Sequence, residues 1–175
     1  MSRAKSVASL DELEFVIAPM TEHDLVEVVE IEETCGLSRW GWDAYHAELV
    51  ENSSAIMFVA RSLEESFSGG RILGYVASRH TADELHINNI AVRPAFRRCG
   101  IGVSLLNAVL REGARRGARS SLLEVRAGNK AAQELYARLG FQLTGRRRNY
   151  YNTPKEDALI MVASLGFNAL SQEEF

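Results

Sequence analysis

Apolar residues recur three or four positions apart in four stretches of the chain. An α-helix places such residues on one face, so this spacing predicts amphipathic helices. The first begins near Thr21, and the others cover Trp42–Glu51, Gly100–Arg116 and Asn129–Leu139. Thr21 is an N-cap candidate because Asp24, three residues later, completes an acidic form of the capping box. Gly117 and Gly140 are the glycines expected where the last two helices end.

Apolar runs between these helices predict strands at Leu13–Ala18, Ile56–Arg61, Ile72–Arg79, Leu85–Val92 and Ser121–Val125, with short strands near Phe141 and at Ala158–Ala163. The order β-α-α-β-β-β-α-β-α-β-β predicts a single-domain α/β fold with a mixed central sheet flanked by helices. We expect residues 13–165 to form this domain, with a flexible N-terminus at 1–12 and a C-terminal tail at 166–175.

The composition is that of an ordinary globular protein. The 175 residues are 46% hydrophobic and 25% charged, and no apolar run is long enough to cross a bilayer. The N-terminal segment has no apolar core of signal-peptide length, so we expect a cytoplasmic protein without a membrane partner. Cys35 and Cys99 offer neither a disulfide framework nor zinc-ligand spacing, and the four histidines are scattered, so no metal site is expected.

Charge is distributed unevenly along the chain. Residues 1–65 carry 14 acidic and 4 basic side chains, whereas residues 66–175 carry 9 acidic and 16 basic ones. Two interpretations stay open: separate surfaces for an anionic and a cationic ligand, or scattered solvated charge. No basic run is interleaved with aromatic residues in the way typical of nucleic-acid binding, so no direct nucleic-acid partner is expected.

The segment "RRCGIGVSLL", Arg97–Leu106, joins a predicted strand ending in "NNIAV" to a predicted helix. Glycines permit a tight turn there at no side-chain cost. The same turn would also direct unpaired backbone N–H groups and the positive end of the helix dipole at an anion. The segment lacks the G-x-G-x-x-G fingerprint of dinucleotide-binding folds and the G-K-[ST] of a P-loop.

The pattern Arg97-x-x-Gly100-x-Gly102 resembles the acetyl-CoA pyrophosphate loop, Q/R-x-x-G-x-G/A, of the GNAT N-acetyltransferases. The stretches "LLEVRAGNKAAQELYARLGF", Leu122–Phe141, and "GRRRNYYNTPKEDALIM", Gly145–Met161, are similar to the RimI-type ribosomal-protein-alanine N-acetyltransferases of that superfamily. The resemblance spans about residues 13–163 and is strongest after residue 88. It implies a GNAT-like fold that uses acetyl-CoA as co-substrate and needs no metal.

The resemblance also implies roles for individual residues. Glu124 matches the family's general base and Tyr136 its general acid. Asn129 matches an asparagine that contacts coenzyme A. The expected cofactor-binding residues on the strand and in the turn are Ile90, Ala91, Val92, Arg97, Arg98, Cys99, Gly100, Ile101, Gly102 and Val103. Each role has a structural alternative: a solvated strand residue for Glu124, a core residue for Tyr136 and a helix N-cap for Asn129.

The implied chemistry suits these residue types. A peptide α-amine has a pKa of about 7.7–8.0, so at neutral pH most of it carries a proton that prevents attack on a thioester. A carboxylate such as Glu124 could accept that proton. A phenol such as Tyr136 could protonate the departing thiolate, while backbone N–H groups near Ile90 stabilise the developing oxyanion.

The acceptor is expected to be a protein N-terminus. Trp40, Trp42, Tyr150 and Tyr151 would line its groove, and Asp43 and Glu48 could attract arginines further along it. The segment "GLSRWGWDAYHAEL" lacks the proline usual in this loop of the family. Three alternatives therefore stay open. The first, which the resemblance favours, is acetylation of the N-terminal alanine of the eighteenth small-subunit ribosomal protein. The others are acetylation of a different amine and an inactive acyl-CoA-binding module. The oligomeric state is left open.

Overall fold

The structure is a computed structural model that describes residues 13–37, 40–64 and 71–166. The predicted N-terminal segment, residues 1–12, and all of the predicted tail 166–175 except Gly166 lie outside the described residues. The seven strands of the described ranges are β1 Phe15–Pro19, β2 Ala55–Ser62, β3 Ile72–Thr81, β4 Glu84–Val92, β5 Ser120–Arg126, β6 Gln142–Asn152 and β7 Lys155–Ser164. They form one sheet in the order β1-β2-β3-β4-β5-β7-β6. Only β4 and β5 are parallel among these neighbouring strands, so the predicted mixed sheet is confirmed.

In the part of the chain that the structure describes, the four α-helices are α1 Leu25–Thr34, α2 Gly41–Glu51, α3 Ile101–Arg115 and α4 Lys130–Arg138, as the apolar spacing predicts. The capping box at Thr21 is confirmed, because the backbone N–H of Thr21 donates to Asp24 Oδ2 at 2.9 Å. A single 3-10 turn, Glu22–Asp24, separates this cap from α1. Gly117 and Gly140 have φ of +101° and +87°, the left-handed conformation that favours glycine after a helix.

The helices lie on two faces of the sheet and bury two apolar clusters. One cluster joins α3 and α4 to the sheet through side chains such as Leu105, Leu123 and Tyr136. The other lies beneath α1 and α2 and includes Ile31 and Tyr75. Alternate residues of a strand face opposite sides of a sheet, so the central strands are apolar on both faces.

Much of the acidic charge of α1 and α2 is paired with arginines of the basic half. Arg93 donates to Glu27 at 3.0 Å and also contacts Glu30. Arg79 binds both carboxylate oxygens of Glu48, at 3.0 and 2.6 Å. Glu48 is therefore already paired with an arginine of this chain, and its attraction of substrate arginines stays a prediction.

The prediction of short strands at the C-terminal end of the domain is wrong in extent. The strand expected near Phe141 is β6, which spans 11 residues, and its partner β7 spans 10. Phe141 itself precedes β6 and is buried in the core. β6 is an edge strand whose side chains are mostly exposed, so it lacks the alternation of apolar and polar residues that identifies a half-buried strand.

Candidate active site

β4 and β5 pair in parallel, from Glu84 opposite Ser120 to Ile87 opposite Leu123. On its other edge β4 carries a bulge, because Ile87 pairs with Ser78 while Asn89 pairs with Ala77, leaving Asn88 as an extra residue. A bulge bends a strand and increases its twist. β4 and β5 therefore diverge after Ile87, and the β5-facing edge of β4 loses its strand partner within the sheet.

A cavity of about 570 Å³ opens at this divergence. The sequence-predicted residues that line it are Trp40, Ile90, Glu124, Asn129, Tyr136, Tyr150 and Tyr151. The structure thus brings together residues from α4, β4, β5, β6 and the segment before α2. Ala91, Val92, Trp42 and the glycine turn, residues 97–103, are outside the set that lines this cavity.

The glycine turn has the backbone that its sequence predicts. Gly100, the N-cap of α3, has φ of +80°, and Arg98 has φ of +67°. A Cβ on Gly102 would lie 3.3 Å from Leu135 Cδ2, so the missing side chain also permits close packing of α3 against α4. The amides of the first helical turn have no preceding carbonyl within the helix to bond. The structural and the anion-binding roles of this turn are therefore compatible.

Arg97 and Cys99 both have partners near the turn. Arg97 Nε donates to the carbonyl of Val92 at 3.1 Å, and its Nη2 lies 3.4 Å from Cys35 Sγ. Cys99 Sγ donates to the carbonyl of Arg97 at 3.6 Å. The Arg97 side chain thus ties the turn back to the end of β4.

Asn129 is the N-cap of α4, the structural alternative considered for it. Its Oδ1 accepts a hydrogen bond from the backbone N–H of Ala132 at 3.1 Å. The residue also lines the cavity, so contact with coenzyme A stays a prediction beside the confirmed cap.

Glu124 projects from β5 into the cavity and is held by two side chains of β6. Its Oε1 lies 3.1 Å from Arg147 Nε, and only 14% of its side chain is exposed. Interaction of the Tyr150 hydroxyl with Glu124 raises the pKa of Tyr150, because the protonated phenol is favoured beside a carboxylate. Glu124 is therefore an oriented carboxylate rather than a freely solvated strand residue.

Tyr136 faces the same cavity from α4. Its ring packs against Phe141 with centroids 5.9 Å apart, and the residue is 6% exposed. Burial raises the pKa of Tyr136, because the phenolate is poorly solvated there. The phenol therefore keeps its proton at neutral pH, as a general acid requires.

The two tryptophans occupy different environments. Trp40 lines the cavity, and its backbone N–H donates to Glu32 Oε1 at 2.9 Å. Trp42 stacks on His46 with ring centroids 4.6 Å apart and is 43% exposed. The predicted aromatic wall therefore contains Trp40, while Trp42 contacts the helix surface.

Behind the cavity lies a buried polar network that the sequence analysis missed. Glu32 is fully buried and accepts from the Tyr45 hydroxyl at 2.9 Å. The Tyr45 oxygen in turn lies 2.8 Å from the Tyr75 hydroxyl and 2.9 Å from Asn89 Nδ2. Because the hydroxyl hydrogen of Tyr45 goes to Glu32, Tyr75 must be the donor in the pair of tyrosines. One signal was available: Glu32 follows Val28 by four positions, on the apolar face of α1.

The sequence analysis also missed the partners of the aromatic residues on β6. The Arg126 guanidinium lies 4.0 Å from the centroid of the Tyr151 ring and 3.3 Å from Glu156. These contacts join residues more than twenty positions apart. They depend on the register of the sheet, which local sequence does not specify.

Within the described ranges, no group of three or more His, Cys, Asp or Glu side chains is placed to hold a metal ion. In the same ranges, no helix is both long and apolar enough to cross a membrane. The Glu124 carboxylate, the Tyr136 phenol and the free edge of β4 lie together at the cavity. Together these groups can accept a proton, donate one and bind an extended polar chain.

Comparisons with known proteins show similarity to acetyltransferases. A family model described as the acetyltransferase (GNAT) family matches residues 25–141. A Bacillus subtilis relative, named for a proposed [ribosomal protein bS18]-alanine N-acetyltransferase activity, is 36% identical over 142 residues, covering 81% of this chain and 90% of that protein. The [ribosomal protein bS18]-alanine N-acetyltransferase of Escherichia coli K12 is 43% identical over 94 residues, covering 53% of this chain and 64% of that protein.

The fold is similar to that of a solved relative. The crystal structure of the ribosomal-protein-S18-alanine N-acetyltransferase from Escherichia coli matches with a TM-score of 0.75 and 30% sequence identity. The match covers 89% of this chain and 98% of that one. The likeness therefore includes the strands and helices that form the cavity.

Proposed function

The chain belongs to the acetyltransferase (GNAT) family, and from this premise we propose that it acetylates the N-terminal α-amine of ribosomal protein bS18, at alanine. The names of the relatives in Bacillus subtilis and Escherichia coli support this acceptor. One structural observation carries the proposal: Glu124, Tyr136 and the unpaired edge of β4 meet in one cavity.

The chain's residues fit acetyl-CoA, which when bound supplies the acetyl group as a thioester. The start of α3, a helix of 15 residues, offers backbone N–H groups and the positive end of a dipole to the pyrophosphate. The unpaired edge of β4 beyond Ile87 offers main-chain donors and acceptors to the amide-containing pantetheine arm. Asn129, beside this edge in the cavity lining, is the proposed side-chain contact.

Glu124 is the proposed general base. The acceptor nitrogen attacks the thioester carbonyl, a C–N bond forms and the C–S bond breaks. Glu124 takes the proton that the nitrogen must lose, directly or through a water molecule. Its position on β5, facing the free edge of β4, supports this role.

Tyr136 is the proposed general acid. The sulfur leaves with the electron pair of the broken C–S bond and needs a proton to become a thiol. The raised pKa of Tyr136 keeps its phenol protonated and available for this transfer. Backbone N–H groups near Ile90 are the proposed donors to the carbonyl oxygen as negative charge develops on it.

The acceptor's first residues are proposed to lie between the aromatic side chains of Trp40, Tyr150 and Tyr151. All three line the cavity together with Glu124. Aromatic walls suit a short apolar side chain such as alanine and the peptide planes that follow it. The groove lies between the segment before α2 and the strand β6.

Acetyl transfer from acetyl-CoA to synthetic peptides, read by mass, tests the proposal. The panel holds the N-terminal sequence of bS18 with its alanine, the same peptide starting with serine, leucine or lysine, and free lysine. We expect the alanine peptide to react fastest. Equal rates on free lysine would instead favour a broader amine specificity, and the absence of transfer to all acceptors would favour an inactive acyl-CoA-binding module.

A further inference from the structure

In the free protein, the carboxylate of Glu124, the proposed base, forms an ion pair with a guanidinium. Arg147 Nε lies 3.1 Å from Glu124 Oε1. The two side chains differ in exposure, 55% for Arg147 and 14% for Glu124. The guanidinium can therefore move into solvent while the carboxylate stays at the cavity wall.

The surroundings of this ion pair suit an organic cation. The Arg147 guanidinium lies 5.4 Å from the centroid of the Tyr150 ring. The Tyr150 hydroxyl also interacts with the Glu124 carboxylate, which raises the pKa of Tyr150. A carboxylate beside an aromatic ring attracts a positive group through both ion pairing and the ring's quadrupole.

The local backbone allows Arg147 to leave without disturbing the interior of the sheet. β6 is an edge strand, and its pairing with β7 shifts register between Arg147 and Tyr151. Within that shift Asn149 has φ of +50°. Arg147 is the last paired residue before the irregular segment. Rotation of its exposed side chain is therefore enough to move the guanidinium away from the Glu124 carboxylate.

We propose that Arg147 is a displaceable counter-ion of Glu124. Its guanidinium occupies the position that the ammonium group of the acceptor takes when the acceptor binds. This inference rests on the proposed function. The acceptor enters as –NH₃⁺, the Arg147–Glu124 pair breaks, and an ammonium–carboxylate pair forms in its place. Glu124 then takes one proton from the ammonium and releases it to solvent, which leaves a neutral amine able to attack. The regenerated carboxylate takes the second proton, which the nitrogen loses as the C–N bond forms. Arg147 acts through Glu124 and is a positioning residue in this scheme.

The test compares Arg147→Gln with Arg146→Gln. Arg146 is the matched control because it precedes Arg147 on β6, is similarly exposed at 59%, and makes its own ion pair with Asp157 at 3.0 Å. Removing the competing guanidinium should lower KM for the alanine peptide by about two- to fivefold, the range expected for one exposed ion pair. The kcat should change by less than about twofold, and Arg146→Gln should change neither constant.

Calorimetric binding of two peptides, without acetyl-CoA, gives a second measurement. The free-amine peptide should bind Arg147→Gln more tightly than the parent by the same factor. The N-acetylated peptide lacks the ammonium group, so its affinity should be equal for the two proteins.

Several results would overturn the inference. An unchanged KM in Arg147→Gln means that the ion pair does not compete with the acceptor, and a raised KM means that Arg147 contacts the acceptor directly. A large fall in kcat with KM unchanged places Arg147 in the chemical step. Each of these leaves the proposed function intact if Glu124→Gln still loses activity. No transfer by the parent to any peptide removes the proposed function and the inference together.

Discussion

Asn89 Nδ2 lies 2.9 Å from the hydroxyl of Tyr45, and this hydrogen bond joins the wall of the cavity to the buried network under α1 and α2. Asn89 follows the bulged residue of β4, where the strand turns away from β5. Glu32, at the other end of the network, also accepts from the backbone N–H groups of Trp40 and Gly41. The network therefore fixes two sides of the site, the divergence of β4 and the segment before α2.

Tyr45→Phe should destabilise the protein by about 1–3 kcal/mol, because Glu32 loses a donor while Tyr75 and Asn89 lose their acceptor in a buried environment. Tyr75→Phe removes a single donor at the edge of the network and should cost less. The free energy of unfolding from urea titration measures both. Equal costs for the two variants would contradict the central position of Tyr45.

Glu124→Gln should lower kcat by about 10²–10⁴-fold, because an amide of the same shape cannot take the proton of the acceptor. The affinity for acetyl-CoA should hardly change, since the variant removes a base and leaves the glycine turn intact. Steady-state kinetics and calorimetry separate the two effects. Turnover at the parent rate would exclude Glu124 as the base.

Tyr136→Phe should slow the same step while leaving the packing against Phe141 intact. The loss of rate should be smaller with an acyl donor whose leaving thiol is more acidic, because that thiolate leaves more readily without being protonated. Burial raises the pKa of Tyr136, so the phenol stays protonated across the usual assay range. The pH–rate profile of the parent should therefore show no fall at alkaline pH up to the ordinary tyrosine value. An equal loss of rate in Tyr136→Phe with both acyl donors would argue against proton donation to sulfur.

Gly102→Asp should weaken coenzyme A binding by at least about tenfold, because it places a negative charge at the start of α3 where the pyrophosphate is proposed to lie. Gly102→Ala adds the same Cβ without charge and is the matched control. That Cβ would lie 3.3 Å from the end of the Leu135 side chain, which can shift, and 4.0 Å from Val92 Cγ2, an ordinary contact, so both variants should fold. Equal calorimetric affinities of the Asp and Ala variants would exclude an anion at this turn.

Glu112 on α3 predicts a pH dependence of stability. Arg115, with a further contribution from Arg116, lowers the pKa of Glu112 from 4.5 to about 2. A carboxyl group with a lower pKa in the folded state stabilises the protein above its unfolded pKa, and the contribution declines as pH falls from about 4.5 toward 2. Glu112→Gln should therefore cost about 0.5 kcal/mol near neutral pH. The difference from the parent, measured by urea titration at decreasing pH, should shrink below about pH 4.5.

The sequence predicted the parts of the fold that depend on local periodicity. α3 and α4 follow from apolar spacing and from Gly117 and Gly140 at their ends. The full length of β6 was not predicted, because an exposed edge strand lacks the alternation of apolar and polar residues on which a strand prediction depends.

The same distinction holds at the site. Glu124, Tyr136 and the glycine turn were predicted as site residues because their residue types stand in a continuous order that resembles the family's. The pairing of Arg147 with Glu124 and the network of Glu32 were not found, since both depend on how distant strands and helices meet. Such contacts depend on tertiary packing, so single-sequence periodicity does not reveal them.

The unpaired edge of β4 affects which amino-acid substitutions this strand tolerates. If the co-substrate is recognised through main-chain atoms, every residue type except proline can present the same N–H and C=O groups. The side chains are then constrained by packing alone: Ala91 in the cluster under α1 and α2, and Ile90 and Val92 against the cluster of α3. Substitutions at these three positions should change thermal stability more than coenzyme A affinity, so mutational tolerance here is set by the core on either side of the strand.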